Sequence, residues 1–322
     1  MLTRRGISME CKQCYVDFFL YRNKIKKWVN FAEIEEKLRN DKRIRQIIGQ
    51  LQDWPGYELK THKDIGHPLH QLSFLAELGF NRDDPGMAEI INKIFVHQSE
   101  EGPFNILVNI PKPFGGSGQA QLAWMLCDAT VVIYSLLKLN QGQYNRELAK
   151  AVGFIAESVS ENGWHCMASR ELGSFHGPGR SGDPCPYATM FALRLLGLTG
   201  KNVFQQEKEI GIRTLLHLWK NRDNMKPYLF GMGTDFKKLK LPFVWYDILN
   251  VVDTLSVYPQ IYQNPFFREM LNIIKGKKTE VGYIPESVYR KAKEWDFGQK
   301  KEISPYMNAI IDRIVKRVNQ KK

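Results

Sequence analysis

The chain has 322 residues, of which 43% are hydrophobic, 12% aromatic and 25% charged. This composition is typical of a globular protein, and it excludes a disordered chain, a collagen and a small disulfide-stapled protein. Lys and Arg number 46 against 34 Asp and Glu, a formal charge of +12 that permits nucleic acid, an anionic membrane or a diphosphate as a partner. The same surplus also fits simple solubility.

Targeting and membrane signals are absent from the sequence. Residues 1–9 are basic and lead into Glu10 and Lys12 without the apolar core of a signal peptide. The longest apolar run, near residues 130–137, is too short to span a bilayer. Five cysteines are too few and odd in number for a disulfide framework. We therefore expect a cytoplasmic protein.

Short basic runs occur at residues 237–240, 275–278 and 316–322. Such runs are usually solvated surface, and peripheral contact with an anionic membrane is the alternative. No motif predicts sequence-specific binding of nucleic acid.

One kind of predicted helix is apolar around most of its circumference and recurs along the chain, which is typical of helices buried on both sides. Aligning Leu75, Leu136, Leu195, Leu255 and Val315 gives successive spacings of 61, 59, 60 and 60 residues. This regular spacing indicates a structural repeat. The predicted inner helices span residues 15–28, 67–79, 128–139, 187–198, 247–257 and 306–318.

A second kind of predicted helix lies between these segments and is amphipathic and more charged, as expected of an outer layer with one face in water. Most outer helices are followed by a turn that combines Gly or Pro with an aromatic residue, suited to plugging the gap between helix pairs. The predicted outer helices span residues 31–52, 85–97, 144–160, 203–220 and 265–275.

Alternating inner and outer helices with a fixed repeat predict an all-α fold, either a closed α/α barrel or an open solenoid. The apolar inner helices favour the barrel, with about six helix pairs. We expect one domain over residues 1–322: N-terminal helices at 1–50, five repeats at 51–318 and a basic tail at 319–322.

The same alignment predicts a functional end of the barrel. Eight residues before each aligned position stand His67, Asp128, Tyr187, Asp247 and Met307. These positions start the inner helices, so in a barrel they meet at one mouth, where helix N-termini also favour an anion. Further polar residues near this column are His70, Cys127, Asp183, Cys185, Tyr246 and Tyr306.

Purely structural roles are open for several of these residues. Asp128, Asp183 and Ser304 stand where a helix N-cap is expected. His67 precedes Pro68 and can bond a neighbouring carbonyl group. The aromatic residues Tyr187, Trp245 and Tyr246 can simply fill the barrel interior. Caps do not explain why His, Cys and Asp side chains gather at one end.

A resemblance to known proteins covers residues 50–320. It rests on the repeat, on the aromatic turns and on the run Gly177-Pro-Gly-Arg-Ser-Gly-Asp-Pro-Cys-Pro-Tyr187. It resembles the α/α toroids of terpenoid (squalene–hopene type) cyclases and protein prenyltransferase β subunits. Prenyltransferase β subunits carry Gly-Arg followed by Asp-x-Cys-Tyr, in which Asp and Cys bind zinc. The resemblance implies a zinc site at Asp183, Cys185 and Asp247, where Asp247 replaces the family's His, and a ligand role for Arg180. The Asp-x-Asp-Asp and Asp-Asp-x-x-Asp motifs of the cyclases are absent.

The resulting hypothesis is a toroid that binds an isoprenoid or similar hydrophobic ligand and catalyses prenyl transfer or cyclisation. Asp128, His67 and Asp247 are the candidate acid–base residues. Two alternatives remain: a glycan-active barrel that uses Asp128 and Asp247 as paired carboxylates, and a non-catalytic binding scaffold. The candidate ligand-binding residues are His70, Cys127, Trp124, Trp164, Arg180, Tyr187, Trp245 and Tyr246.

Overall fold

The computed structural model describes residues 14–27, 31–173, 175, 182–225, 230–242 and 244–320. Over these ranges the fold is helix-rich, with two short β-hairpins and five 3-10 turns in the connections. The all-α class expected from the sequence is thus confirmed. None of the helices in these ranges has the length and apolar character needed to cross a membrane.

The predicted inner segments all form helices. In α4 and α8 every residue is buried, and in α6 only Lys138 is not. This all-round burial is the physical meaning of the apolar pattern in the sequence. The inner helices are α1 (Cys14–Arg22), α4 (Pro68–Leu78), α6 (Leu126–Leu139), α8 (Pro186–Leu196), α10 (Ile248–Leu255) and α12 (Pro305–Asn319).

The outer helices bury a single face. In one of them the buried residues are Met87, Ile90, Ile91 and Ile94, the spacing of one helix stripe. The outer helices are α2 (Phe31–Arg39), α3 (Lys42–Leu51), α5 (Met87–Phe95), α7 (Arg146–Glu157), α9 (Gln205–Lys220) and α11 (Pro265–Lys275).

The prediction of one outer helix over residues 31–52 was wrong, because α2 ends at Arg39 and a separate helix, α3, begins at Lys42. The Asp41 side chain accepts a hydrogen bond from the backbone N–H of Arg43 and starts a new helix there. The first inner helix also ends earlier than expected, at Arg22, and Lys24 follows with a left-handed φ of 56°. Trp28, its predicted end, lies outside the described residues.

Contacts between the inner helices follow the chain order and then return to its start. Helix α1 contacts α4, α4 contacts α6, α6 contacts α8, α8 contacts α10, α10 contacts α12, and α12 contacts α1. The outer helices cover this series, with α3 on α4, α7 on α6 and α8, and α9 on α8. Gly79 ends α4 at a φ of 99°, where an added Cβ would lie 2.4 Å from the Cβ of Arg22, so the α1–α4 contact requires glycine.

Two hairpins lie in the connections between the helices. Strands β1 (Ile106–Val108) and β2 (Gln121–Ala123) pair antiparallel, with Ile106 opposite Ala123. Strands β3 (Val159–Ser160) and β4 (Gly163–Trp164) pair in the same way around a tight turn. The 3-10 turns are Lys112–Phe114, Arg170–Leu172, Pro259–Ile261, Arg290–Ala292 and Asp296–Gly298.

Buried ion pairs connect the inner helices near their C-terminal ends. Arg313 of α12 lies 2.8 Å from Asp253 of α10 and 3.3 Å from Glu77 of α4. Burial opposes ionisation of Glu77, but Lys138 and Arg313 lower the pKa of its carboxyl well below the usual range. The group, here called the ion network, consists of Glu77, Tyr134, Lys138, Arg194, Asp253, Arg313 and Arg317.

Candidate functional site

The segment before α4 is fastened at several points. The Tyr57 hydroxyl donates to Asp64 at 3.0 Å, and the Tyr289 hydroxyl donates to the carbonyl oxygen of Lys63. His67 Nε2 donates to the Tyr57 carbonyl at 2.8 Å. These bonds hold the segment on both sides of His62 and so position its ring.

The start of α6 is held by a second set of backbone bonds. The N–H of Leu126 donates to the Met167 carbonyl at 2.8 Å, and the N–H of Ser169 donates to the Trp124 carbonyl at 2.9 Å. The first turn of α6 then carries two adjacent polar side chains, Cys127 and Asp128, both buried.

His62, Cys127 and Asp128 come together into one cluster, here called the triad. His62 Nδ1 lies 2.8 Å from Asp128 Oδ1, and Cys127 Sγ lies 3.8 Å from Nδ1 and 3.7 Å from Nε2 of the same ring. One ligand atom from each residue lies within 4.8 Å of the other two. Among the described residues this is the one group of three or more His, Cys, Asp or Glu side chains that can hold a metal ion.

The donor set and its spacing fit a metal ion. Imidazole nitrogen, thiolate and carboxylate are the ligands that zinc uses in proteins. A tetrahedral zinc with bonds of about 2.3 Å to sulfur and about 2.0 Å to nitrogen holds those two atoms roughly 3.5 Å apart. The 3.7 Å between Cys127 Sγ and His62 Nε2 is close to that separation. The second carboxylate oxygen, Asp128 Oδ2, is buried and has no hydrogen-bond partner within the described ranges.

Burial and the Asp128 carboxylate both change the pKa values of the other two triad residues. Burial opposes the charged form of the His62 imidazole, but Asp128 outweighs this effect and raises its pKa. Burial, reinforced by Asp128, raises the pKa of the Cys127 thiol well above its usual range. A metal ion at the triad therefore has to displace the thiol proton, since only the thiolate binds.

Aromatic rings extend from the triad across the starts of the next inner helices. The His62 ring stacks on Tyr187 with centroids 5.6 Å apart, and Tyr187 stacks on Phe230 at 6.2 Å. Phe230 meets Tyr246 edge-on at 5.6 Å. The hydroxyl groups of Tyr187 and Tyr246 are buried without a hydrogen-bond partner in the described part of the chain. We call this end of the inner helices, from His62 to Asp247, the mouth.

Asp247 lies at the far side of the mouth as the N-cap of α10. Its Oδ1 accepts from the N–H of Asn250 at 2.9 Å, whereas Oδ2 has no partner among the residues that the structure describes. Burial raises the pKa of this carboxyl to about 7. Asp247 thus combines a helix cap with a buried second carboxyl oxygen that has no hydrogen-bond partner in the described ranges.

The zinc ligands implied by the resemblance do not come together as a set. Asp183 is exposed, Cys185 is half-buried at the N-cap of α8, and Asp247 is fully buried. All three are described, and their ligand atoms do not form a group within 4.8 Å. In the structure Asp183 is an exposed loop residue, whereas Cys185 and Asp247 are helix caps, so the expected set of Asp183, Cys185 and Asp247 is not assembled.

Three further predicted residues have structural partners. Both nitrogens of His67 are engaged, since Nδ1 also accepts from the N–H of Leu69 at 3.2 Å as the N-cap of α4. Trp124 donates to Glu101 at 2.6 Å and packs edge-on against Phe154 of α7. Trp164 donates to a backbone carbonyl at the end of α7, at 2.6 Å. The hydrogen bonds of the two indoles therefore go to Glu101 and to a carbonyl group of α7.

Trp245 lies at the mouth between two cations. The Lys240 ammonium is 4.8 Å and the Lys63 ammonium 5.3 Å from its ring centroid, and its buried indole N–H has no partner in the described ranges. Arg180, the other predicted ligand-binding residue of this region, lies outside the described residues.

Sequence reasoning missed His62, the residue that completes the triad. It lies in the loop before α4, five residues ahead of the aligned column, where helix periodicity carries no information. The available signal was the spacing His62-x4-His67-x2-His70 in one short segment. His70 itself lines a separate cavity of about 120 Å³ between α3, α4 and residues 291–297.

Comparison with protein-family models and with curated proteins gives no match for this chain.

Proposed function

We propose that the chain is an α/α toroid enzyme that holds a zinc ion at His62, Cys127 and Asp128 and acts on a hydrophobic, isoprenoid-like substrate at the mouth. The observation that carries this proposal is the approach of three different metal-binding side chains to within 4.8 Å. The return of α12 to α1 supports the toroid, because a closed ring of inner helices requires that contact.

The three protein ligands leave zinc a fourth position. Three protein ligands with one open position are typical of catalytic zinc, which acts as a Lewis acid and lowers the pKa of whatever binds there. The chain's own contribution is to hold the His62 ring by the bonds of the segment before α4. Bonds that orient ligand side chains typically change metal affinity by about 10–100-fold when they are removed.

The aromatic rings of the mouth favour a hydrophobic substrate. Tyr187, Phe230 and Tyr246 follow one another from the triad, and aromatic faces stabilise a developing carbocation. The buried hydroxyl groups of Tyr187 and Tyr246 lack partners in the described ranges, so they are candidates to orient a polar end of the substrate. These features support prenyl transfer or cyclisation as the reaction class.

Asp247 is the acid–base candidate that the geometry supports best. It keeps a proton near neutral pH, since burial raises the pKa of its carboxyl to about 7. Its Oδ2 is free to deliver that proton, while Oδ1 stays fixed by Asn250. A glycan-active barrel would need Asp128 as the second carboxylate, but Oδ1 of Asp128 is bonded to His62. We therefore favour the metal-dependent reaction.

We further propose a cytoplasmic location with peripheral contact with anionic membranes. Of the basic run at residues 237–240, Lys238 and Lys240 both pair with Asp235, which reduces its net charge. In the other two runs Lys277 pairs with Glu286 and Arg317 pairs with Asp253, so the membrane contact rests on the remaining cations of residues 275–278 and 316–322. Co-sedimentation with phosphatidylserine vesicles, but not with phosphatidylcholine vesicles, and loss of binding at high salt are the expected results.

Metal analysis and native mass spectrometry of the purified protein test the proposed function. We expect about one zinc per chain in the wild type and a loss of at least about tenfold in affinity in Cys127→Ser. Cys14→Ser is the matched control, because Cys14 is a buried cysteine on α1 whose Sγ lies near Asp41, away from the triad. A co-purifying lipid would support the hydrophobic substrate.

Two outcomes would contradict the proposal. The absence of zinc from wild type and control alike would remove the metal site. If Cys185→Ala lost zinc and Cys127→Ser kept it, the metal would be held by the set that the resemblance implies, Asp183, Cys185 and Asp247, and not by the triad.

A further inference from the structure

A cavity of about 480 Å³ lies at the opposite end of the inner helices from the triad. It is formed by α2, α3 and residues 80–86, the segment that follows the C-terminal end of α4, and we call it the α2–α3 cavity. Ligand pockets of proteins have volumes of roughly 300–1,000 Å³, so this cavity has the size of a small-molecule site. Exposed residues such as Arg45 and Pro85 line it, so a ligand can enter from solvent.

The accessible walls of the α2–α3 cavity are mainly apolar. Ile48 of α3 is half-buried, Pro85 is exposed, and Phe80 keeps 6% of its surface accessible. Phe18 and Leu38 also line the cavity and are almost fully buried. A ligand that covers the first three side chains removes apolar surface from water, which favours binding.

Gly49 leaves room in this cavity that the protein does not fill. It lines the cavity from the interior of α3, where glycine is the least favourable residue apart from proline. A Cβ atom added there has no neighbour within 4 Å in the described part of the chain, so close packing does not require glycine. Arg45 lies one helical turn earlier on the same face, so a larger side chain at position 49 would occupy the cavity beside it.

The charges around the cavity leave one positive charge in excess. Glu35 and Asp84 both pair with Arg22, at 2.6 Å and 2.9 Å. Arg39 and Arg45 line the cavity, are exposed, and have no ion-pair partner among the residues that the structure describes. Three arginines against two carboxylates leave a surplus of one, which suits a ligand with a single negative charge.

The volume of the cavity fits an alkyl chain. A cavity of ~150 Å³ holds benzene, which corresponds to roughly 25 Å³ per carbon atom. On that scale the cavity accommodates a chain of up to about 19 carbon atoms. An alkyl chain that ends in a carboxylate matches both the apolar walls and the single surplus charge.

We propose that the α2–α3 cavity binds a free fatty acid. The alkyl chain packs against Ile48, Phe80 and Pro85, and the carboxylate lies between the guanidinium groups of Arg39 and Arg45. Guanidinium groups suit this role because they donate two parallel hydrogen bonds to a carboxylate. The site is independent of the triad, because the 11 residues of α4 span about 16 Å between the mouth and the cavity.

Calorimetric titration with dodecanoate, below the concentration at which it forms micelles, tests this site. We expect one dodecanoate per chain, with a dissociation constant on the order of 0.1 mM or tighter. Dodecanol lacks the charge and should bind at least about threefold more weakly. Decanoate should also bind at least about threefold more weakly, because each fully buried CH₂ group increases affinity by about fourfold and decanoate has two fewer.

Filling the cavity from position 49 separates this site from other apolar surfaces. Gly49→Leu should weaken dodecanoate binding by about tenfold or more, and α3 should persist because leucine is a better helix former than glycine. Gly153→Leu is the matched control, because Gly153 is also interior to a helix, α7, with no described atom within 4 Å of an added Cβ. It does not line the cavity and should leave binding within about twofold of the wild type.

Removing one guanidinium group tests the position of the carboxylate. Arg45→Gln should weaken dodecanoate binding by at least about threefold, whereas Arg146→Gln, at an exposed arginine of α7, should leave it within about twofold. Thermal unfolding checks that each variant is folded, and Arg45→Gln keeps the test valid if Gly49→Leu does not fold. Cys127→Ser should bind dodecanoate as the wild type does, so a failure of this site and a failure of the zinc site are separate results.

Three results would overturn the proposal. The first is the absence of saturable dodecanoate binding by the wild type. The second is equal affinity for dodecanol and dodecanoate, which would remove the role of the charge. The third is unchanged dodecanoate binding by the folded Gly49→Leu variant, which would place the fatty acid elsewhere on the protein.

Discussion

Buried carboxylates and tyrosine hydroxyl groups are paired at one end of the inner helices, whereas at the other end several of their oxygens have no partner in the described ranges. At the C-terminal end, Glu77 and Asp253 accept ion pairs from cations on the neighbouring helices. At the mouth, the hydroxyl groups of Tyr187 and Tyr246 and the Oδ2 atoms of Asp128 and Asp247 have no partners in the described ranges. Since unpaired buried groups cost free energy, the difference separates an end that stabilises the fold from an end that is suited to bind.

The ion network has a surplus of positive charge at the C-terminal ends of the inner helices. Its four cations exceed its two carboxylates by two, and the surplus lies where the inner helices end. Helix C-termini carry partial negative charge, so these cations are stabilised there. The mouth, where the same helices begin, has the opposite partial charge and favours anions or metal-bound anions.

The largest expected effect comes from breaking the ion network. Arg313→Met leaves Glu77 and Asp253 buried with fewer cations, so we expect the free energy of unfolding to fall by about 3–5 kcal/mol. Urea unfolding at pH 7 measures it. Lys37→Met, which removes an exposed ion pair with Glu33, is the control and should leave the free energy of unfolding nearly unchanged. Equal effects of the two substitutions would show that the network does not stabilise the fold.

Asp247 should make the mouth sensitive to pH. An unfolded Asp titrates near about 4, whereas burial raises the pKa of folded Asp247 to about 7. Between these values the folded chain keeps a proton that the unfolded chain has lost, so the free energy of unfolding falls as pH rises through this window. Asp247→Asn should remove this fall, worth roughly 3 to 4 kcal/mol by pH 8, and change little at pH 4.

Urea unfolding of the wild type and Asp247→Asn at several pH values measures this difference. The Asn side chain keeps the oxygen that caps α10, so loss of the cap does not confound the comparison. A constant difference between the two proteins from pH 4 to pH 8 would contradict the raised pKa.

Two buried tyrosines, one at each end of the inner helices, allow the closest comparison of a paired with an unpaired hydroxyl group. Tyr134 and Tyr187 are both buried on inner helices, but the Tyr134 hydroxyl donates to Glu77 and the Tyr187 hydroxyl has no partner in the described ranges. Tyr134→Phe should lower the free energy of unfolding by about 1.5–3 kcal/mol, and Tyr187→Phe by less than about 0.5 kcal/mol. Thermal unfolding of both variants checks this, and a larger loss for Tyr187→Phe would reverse the assignment of the two ends.

The sequence predicted the helices well because each repeat carries its own apolar pattern. The spacing of Leu75, Leu136, Leu195 and Leu255 located four inner helices whose residues are almost entirely buried. The break between α2 and α3 was missed, because the cap formed by Asp41 resembles any other polar residue in an amphipathic stretch.

The candidate site was only partly predictable. Cys127 and Asp128 stand in or beside the repeat column, so the alignment found them. His62 lies in a loop, and only the folded chain brings it to Asp128. The ion network was not predicted because Glu77, Asp253 and their cations lie far apart in the sequence. Each of them alone resembles an ordinary charged residue near a helix end.

Cobalt substitution tests the central claim, that the triad binds a metal ion, most directly. Cobalt(II) takes the same ligands as zinc and reports thiolate coordination by a sulfur-to-metal charge-transfer absorption. We expect about one cobalt per chain with this absorption in the wild type and in Cys14→Ser, and loss of the absorption in Cys127→Ser. No cobalt binding by the wild type, or an unchanged absorption in Cys127→Ser, would contradict it.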